Sequence, residues 1–245
     1  MGAILFIFLL LSSEVILADV MNLNNFMPTQ LEDAAPIDAH SMDVQYSVAL
    51  EKMGKDIVLH RPNVRYGMNQ HLQLEAQATV DSGGSEFHSG ESEFNLLYRV
   101  NQSSSMLPEV SLSPLAIFPS GKGMSGVDYG VRINFSSLLM GTSKRPLTQL
   151  HFNFQIVHNN EARQYEVLDR YLYALGASHR LADETALVLD VMSNEDPQGK
   201  KSYLVELGWH QGLGKEFYLG VSASAGLGAS EIKQMGIIAL EKQFN

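Results

Sequence analysis

The 245-residue sequence contains no cysteine, which excludes disulfide bonds, thiolate metal ligands and cysteine nucleophiles. Basic residues are scarce: 17 Lys and Arg stand against 27 Asp and Glu, and the formal net charge is -10. Because such a chain has little basic surface with which to neutralise phosphates, the composition argues against nucleic-acid binding. Beyond the N-terminus no long apolar run occurs, so a transmembrane helix, which needs about 20 apolar residues, is not expected.

The one short apolar run lies at the start of the chain, in residues 3–11 (AILFIFLLL). It resembles the apolar core of a secretory signal peptide, and we predict that residues 1–18 are removed by cleavage after Ala18. No Lys or Arg precedes the run, and the bulky Ile16 stands close to the cleavage point. The alternative is a buried N-terminal strand or helix.

From residue 43 to the end, apolar and polar residues alternate with a period of two, which is typical of strands with two different faces. In residues 72–80, for example, Leu, Ala and Val alternate with Gln, Glu and Thr. Twelve such segments can be counted, most of them near the 9–11 residues that a tilted strand needs to cross a bilayer. Residues 19–42 are polar and irregular, and we predict that they form a periplasmic N-terminal arm.

The connections between these segments alternate in length. Residues 69–70, 182–184 and 212–215 are predicted as tight turns, whereas longer loops are rich in Gly, Ser and Asn (81–91, 119–128, 159–167 and 194–201). This arrangement predicts an all-β protein: a single antiparallel up-and-down transmembrane β-barrel of about 12 strands, spanning residues 43–245, with both termini on the short-turn side. Residues 101–109 are predicted to connect two strands on the short-turn side, and they are longer than the other connections predicted there.

The two faces of the strands predict two sets of residues. Polar positions are predicted to enclose a lumen in which arginines and acids pair, since an unpaired buried charge is costly. The predicted lumen-lining residues are Arg61, Arg65, Glu75, Arg99, Arg132, Arg170, Arg180, Asp190, Glu206 and Glu241. Aromatic residues at the strand ends are predicted to form girdles at the two membrane–water interfaces. The predicted girdle residues are Tyr66, Tyr98, Tyr129, Tyr171, Tyr203, Trp209 and Phe244.

The last segment places Ile238, Leu240 and Phe244 on one face, as the final strands of bacterial outer-membrane barrels typically do, although Lys242 interrupts the face and Asn245 follows. We therefore expect an outer-membrane protein of a Gram-negative bacterium, in contact with outer-membrane lipids and, through its C-terminal strand, with the barrel-assembly machinery. A soluble β-sandwich shows the same period and is the alternative fold.

Four stretches resemble a known family. They are Val64-Arg65-Tyr66-Gly67 with the following Leu72-Gln73-Leu74, Phe118-Pro119-Ser120-Gly121 with 125–129, residues 175–181, and Glu206-Leu207-Gly208-Trp209 up to Gly226. Together, over roughly residues 57–244, they resemble the outer-membrane barrels of the MetA-pathway of phenol degradation family, which are described as transporters. The resemblance implies a barrel that admits small, often hydrophobic or aromatic compounds, and it supplies no catalytic residue.

Motifs that carry enzymatic chemistry are few. The sequence has no GxSxG or HExxH motif, its eight histidines show no metal-ligand spacing, and the glycine-rich residues 121–126 lack the spacing of a phosphate-binding loop. We predict a non-enzymatic barrel without metal or cofactor that passes small molecules through a polar lumen lined by arginine and acidic residues. A closed structural or surface-interaction barrel is the second hypothesis, and an outer-membrane lipid hydrolase, suggested by Ser193-Asn194 near one rim, is the third.

Overall fold

The alternating segments form strands in the computed structural model, which describes residues 21–23, 31–52, 56–82, 88–102, 107–119, 126–142, 145–162, 166–196, 198–214, 216–230 and 232–244. The strands are β1 (Met42–Lys52), β2 (Asp56–Asn69), β3 (Leu72–Asp81), β4 (His88–Asn101), β5 (Glu109–Pro119), β6 (Asp128–Thr142), β7 (Arg145–His158), β8 (Asp169–Ala182), β9 (Thr185–Glu195), β10 (Lys201–Gly212), β11 (Phe217–Gly226) and β12 (Gln234–Phe244). The described residues include no helix long and apolar enough to span a membrane.

The twelve strands close into one barrel. Each strand pairs antiparallel with its neighbours in sequence, and β1 pairs with β12, with Met42 opposite Phe244 and Lys52 opposite Gln234. Closure gives every strand two partners, so that no edge is left with unpaired backbone groups. The predicted 12-stranded antiparallel up-and-down barrel is confirmed. β4 begins at His88, earlier than the alternation alone indicates.

The barrel has two different ends. At one end, the turn end, the even-numbered strands β2 to β10 end and the strands that follow them begin; the connections there are short in sequence except for the one between β4 and β5. At the other end, the loop end, the odd-numbered strands β1 to β11 end and the strands that follow them begin. Because Met42 pairs with both Tyr66 and Phe244, β1 begins and β12 ends at the turn end.

The apolar stripe of each strand faces out and the polar stripe faces in. In β12, Ile238 is 59% exposed and Leu240 is 50% exposed, whereas Glu241 and Gln243 are buried. The same reversal recurs on the other strands: Leu74, Leu175, Leu189 and Leu207 are exposed on the outside. A monomeric soluble protein rarely exposes an apolar surface of this extent.

Residues 31–41, here called the inner segment, enter the barrel: most of residues 31–37 are buried in the lumen, whereas residues 38–40 are exposed. The periplasmic arm predicted for residues 19–42 stays a prediction. Leu31 and Ile37 are fully buried. The backbone N–H groups of Glu32, Ala34 and Ile37 donate to the inward side chains of Asn153, Ser136 and Gln73 at 2.8, 2.9 and 2.8 Å. The physical reason is that a chain crossing the lumen has no ladder partners, so inward polar side chains satisfy its backbone.

Apolar residues of the N-terminal region fill part of the lumen beside the inner segment. Leu23 and Leu31 pack with inward apolar side chains of β8, β9, β10 and β12, among them Val188, Leu204 and Ile237. Residues before and after the boundary predicted at residue 43 therefore pack together in one unit. The predicted signal peptide, residues 1–18, lies outside the described residues.

Candidate functional site

The inward faces of the strands leave one sizeable cavity in the described part of the lumen, on the loop-end side of the inner segment. We call this cavity of about 380 Å³ the vestibule. Its lining is mainly polar, and Glu32 of the inner segment is part of it. The charged lining residues are Arg61, Arg65, Arg132, Arg170, Glu32, Glu75, Glu91, Glu93, Glu195 and Asp196.

Alternation along the strands aims these side chains at the vestibule. Glu91 and Glu93 lie two apart on β4, as do Glu75 and Gln77 on β3, so each pair emerges on the same side of its strand. Neighbouring strands then bring opposite charges together, since Arg65 is directly opposite Glu75 in the β2–β3 register.

Ion pairs tie the vestibule arginines to acids. Arg65 Nε lies 3.1 Å from Glu75 Oε1, and Arg170 Nη2 lies 2.8 Å from Asp128 Oδ2. Arg61 pairs with Glu51 at 3.2 Å. These pairs hold the guanidinium groups in fixed places, so the wall has a defined pattern of charge.

Arg132 forms the link between the wall and the inner segment. Its guanidinium pairs with Glu93 of β4 at 2.9 Å and also with Glu32, while Nε donates to Gln155 at 2.6 Å. Asn153 holds the same point of the segment from both sides, because its amide nitrogen donates to the Glu32 carbonyl oxygen at 2.9 Å and its oxygen accepts from the Glu32 N–H. The floor of the vestibule is thus anchored by charge and by hydrogen bonds.

The ten residues predicted to line the lumen occupy inward positions, but they do not form one site. Arg61, Arg65, Glu75, Arg132 and Arg170 line the vestibule. Arg99 pairs with Glu109, and Arg180 Nε donates to the Pro146 carbonyl oxygen at 3.0 Å, both toward the turn end. The other three are Asp190, Glu206 and Glu241, all buried away from the vestibule.

Glu206 and Asp190 face each other across β9 and β10. Glu206 Oε1 accepts hydrogen bonds from Ser222 and Ser224 at 2.7 and 3.1 Å. Glu241 lies 3.6 Å from Arg65, so the guanidinium of Arg65 compensates the negative charge of the Glu241 carboxylate. These acids belong to the packed part of the interior.

Most of the acids that pair with the arginines were not predicted. Glu51, Glu91, Glu93, Glu109 and Asp128 each pair with an inward arginine. Glu91 and Glu93 lie an even number of positions before Arg99 on β4 and so face the same side of the strand. The alternation alone could therefore have identified them as inward residues. Glu32 precedes the strands, and no periodic signal points to it.

The predicted girdle residues lie on the outer face. Tyr66, Tyr98 and Phe244 are near the turn end, where Lys242 Nζ lies 4.6 Å from the Phe244 ring centroid. Tyr129, Tyr171 and Tyr203 are near the loop end. Trp209 is less exposed than these six, which are 39–51% exposed. Their role at a membrane interface stays a prediction.

Within the described residues, no group of three or more His, Asp or Glu side chains is placed to hold a metal ion. The arrangement is suited instead to the binding of a polar or charged solute in water. Four arginines and six carboxylates line the vestibule, so its wall has a formal excess of two negative charges. The ten lumen-lining residues predicted from the sequence, six arginines and four acids, have the opposite formal excess.

Comparisons with known proteins give the fold a context. The sequence matches no protein-family profile, and no curated protein has a similar sequence. Among solved structures, the chain is similar to the KdgM porin with a TM-score of 0.61 at 8% identity, covering 83% of this chain and 99% of the porin. It is also similar to the COG4313 outer membrane channel from Pseudomonas putida F1 with a TM-score of 0.57 at 12% identity, covering 89% of this chain and 100% of the channel. At these identities the likeness shows the fold alone, a closed antiparallel β-barrel.

Proposed function

We propose that the protein is an outer-membrane channel that admits small polar solutes, with a preference for cations, into the vestibule. The proposal rests on a polar cavity of about 380 Å³ with an excess of carboxylates, enclosed by a barrel whose outer face is apolar. Rings of acidic side chains favour cations in channels. The apolar outer face supports a bilayer location because it would meet hydrocarbon there instead of water.

The solute class differs from the one implied by the family resemblance. Apolar side chains in the vestibule lining are few, namely Ile117, Val157, Leu172 and Ile237. A hydrophobic or aromatic compound would lose its favourable burial among ten charged side chains. We therefore favour polar solutes, and membership of the MetA-pathway of phenol degradation family remains a hypothesis, as do the signal peptide, the Gram-negative outer membrane and the contact with the barrel-assembly machinery.

The inner segment favours a second candidate, a closed structural barrel. It crosses the lumen and is fixed to β3, β6 and β7 by hydrogen bonds. If the segment stays in place, ions reach the vestibule but do not cross. Planar-bilayer recordings of the full chain separate the two: stepwise conductance supports the channel, and silence at all voltages supports the closed barrel.

Charge selectivity tests the proposed preference. Under a salt gradient, the reversal potential of the wild-type protein should show cation selectivity. The double variant Glu91→Gln/Glu93→Gln should lose most of it, because four arginines would then face four carboxylates in the lining. The matched control, Asp183→Asn/Glu216→Gln, removes the same charge from positions at the turn end and should keep the wild-type potential. An anion-selective wild type would contradict the proposal.

A further inference from the structure

An ionisable side chain stands on the apolar outer face of the barrel, where the channel function has no use for it. His60 of β2 lies between the outward Val58 and Pro62, and it is opposite Val48 of β1 and Val80 of β3. Ionisable groups facing lipid are costly and are rarely kept without a role. The position of His60 on this face therefore requires a physical explanation.

Two side chains hold the His60 ring from both sides. Its Nδ1 lies 2.7 Å from the hydroxyl of Tyr46 on β1, and its Nε2 lies 3.4 Å from Oγ of Ser82, which directly follows β3. The Tyr46 and His60 rings stack with centroids 6.1 Å apart. The Ser82 N–H donates to the Val58 carbonyl oxygen at 2.9 Å, which fixes Ser82 beside β2.

The order of these groups is that of an activated serine nucleophile. Oγ of Ser82 also donates to the Val58 carbonyl oxygen at 3.3 Å, and rotation of this hydroxyl turns its proton toward His60. With the imidazole proton on Nδ1, Nδ1–H donates to the Tyr46 oxygen, and Nε2 can then accept the proton of Ser82 Oγ. A serine hydroxyl is a weak nucleophile alone and is activated by a histidine base that a third group orients. Here three adjacent strands supply the nucleophile, the base and the orienting hydroxyl.

We propose that Ser82 and His60, positioned by Tyr46, form an ester-cleaving site that opens to the lipid phase and acts on the acyl esters of membrane phospholipids. Ser82 stands at the loop end of β3, where a barrel strand leaves the hydrocarbon layer and where the ester groups of phospholipids lie. Tyr46 is 49% exposed on the outer face, so an acyl chain can lie against the site. This activity goes beyond the proposed channel and requires only that the barrel lie in a bilayer.

The chemistry is a two-step acyl transfer to water. Oγ of Ser82 forms a bond with the acyl carbonyl carbon as its proton passes to Nε2 of His60. The bond from that carbon to the glycerol oxygen then breaks, and the glycerol oxygen takes the proton, which releases a lysophospholipid. Water, deprotonated by Nε2, attacks the Ser82 ester; the free fatty acid leaves and Oγ recovers its proton.

The test uses the full chain in phosphatidylethanolamine vesicles with radiolabelled acyl chains. We expect release of fatty acid and covalent labelling of Ser82 by a fluorophosphonate, mapped by mass spectrometry. Ser82→Ala and His60→Asn should each reduce release by about 100-fold or more. Ser137→Ala, at another exposed outward serine, is the matched control and should release fatty acid at the wild-type rate.

Labelling of the wild-type protein needs no variant, so it decides the proposal even where a variant fails to fold. Wild-type protein that neither releases fatty acid nor takes up the fluorophosphonate at Ser82 would overturn the site. Tyr46→Phe tests positioning: loss of one orienting hydrogen bond should reduce kcat about tenfold with KM unchanged. Conductance of Ser82→Ala should equal that of the wild type, so failure of this site and failure of the channel are distinguishable.

Discussion

At the scale of single residues, the interior is organised by ion pairs between arginines and acids. Arg65 and Arg132 are the most connected: Arg65 pairs with Glu75 and Glu241, and Arg132 pairs with Glu32 and Glu93. Removal of one partner from a buried pair leaves a charge without compensation, which costs far more than the pair contributes. Exposed pairs contribute little, because water screens them.

This difference predicts the effects of two arginine substitutions. Arg132→Gln should lower the free energy of unfolding by about 3–5 kcal/mol, because Glu93 and Glu32 would lose their partner inside the barrel. Arg145→Gln should change it by less than about 1 kcal/mol, because Arg145 and its partner Asp183 have 71% and 69% exposed side chains. Urea unfolding in lipid vesicles measures both. Equal losses would contradict the assignment of Arg132 as a buried anchor.

At the scale of the strand, neighbouring residues alternate between the outer face of the barrel and its lumen. Leu74 on β3 is 44% exposed on the outside, and Gln77 on the same strand lines the vestibule. Asn153 on β7 is also inward, yet it is buried and holds Glu32 through two hydrogen bonds. Inward positions are therefore of two kinds, those beside the vestibule and those that hold the inner segment.

Arginine substitutions on β3 test this separation. Leu74→Arg should lower stability by roughly 2–4 kcal/mol if the position faces mid-bilayer lipid. Gln77→Arg should have a much smaller effect, since the vestibule holds water and carboxylates. Folding yield and urea midpoints in vesicles report both variants. If the two substitutions prove equally costly, the outer face does not meet lipid.

At the scale of the whole molecule, the inner segment approaches the barrel wall closely at Gly67 of β2. A Cβ atom added at Gly67 would lie 2.1 Å from the Asp38 carbonyl oxygen. The His40 N–H also donates to the Gly67 carbonyl oxygen at 2.6 Å. Only glycine lets the segment run this close to β2.

Gly67→Val should therefore displace the inner segment and raise the single-channel conductance severalfold. Gly236→Val is the matched control, because the nearest atom to an added Cβ there is 3.9 Å away, and it should conduct as the wild type does. Conductance of Gly67→Val equal to that of the wild type would mean that the segment does not limit passage. Heat-modifiable migration on a gel verifies that both variants retain the barrel.

The period-two alternation of the sequence by itself determined the architecture of the barrel. Alternate burial excludes a register shift of one residue, since that shift would turn the apolar stripe of the strand inward. Strand number, antiparallel order and the placement of the start of β1 and the end of β12 at the turn end follow from that pattern and from the connection lengths. The inward positions of the ten predicted charged residues follow from the same parity.

Tertiary structure decided what the interior contains. Residues 31–41 have no periodicity, and their path depends on hydrogen bonds to Gln73, Ser136 and Asn153, which are distant in sequence. Likewise, no local sequence motif identifies the group of Tyr46, His60 and Ser82, because Tyr46 lies on β1, His60 lies on β2 and Ser82 follows β3. Alternation is a local property that one strand already shows, whereas a cavity, its net charge and a contact across strands exist only once the barrel has closed.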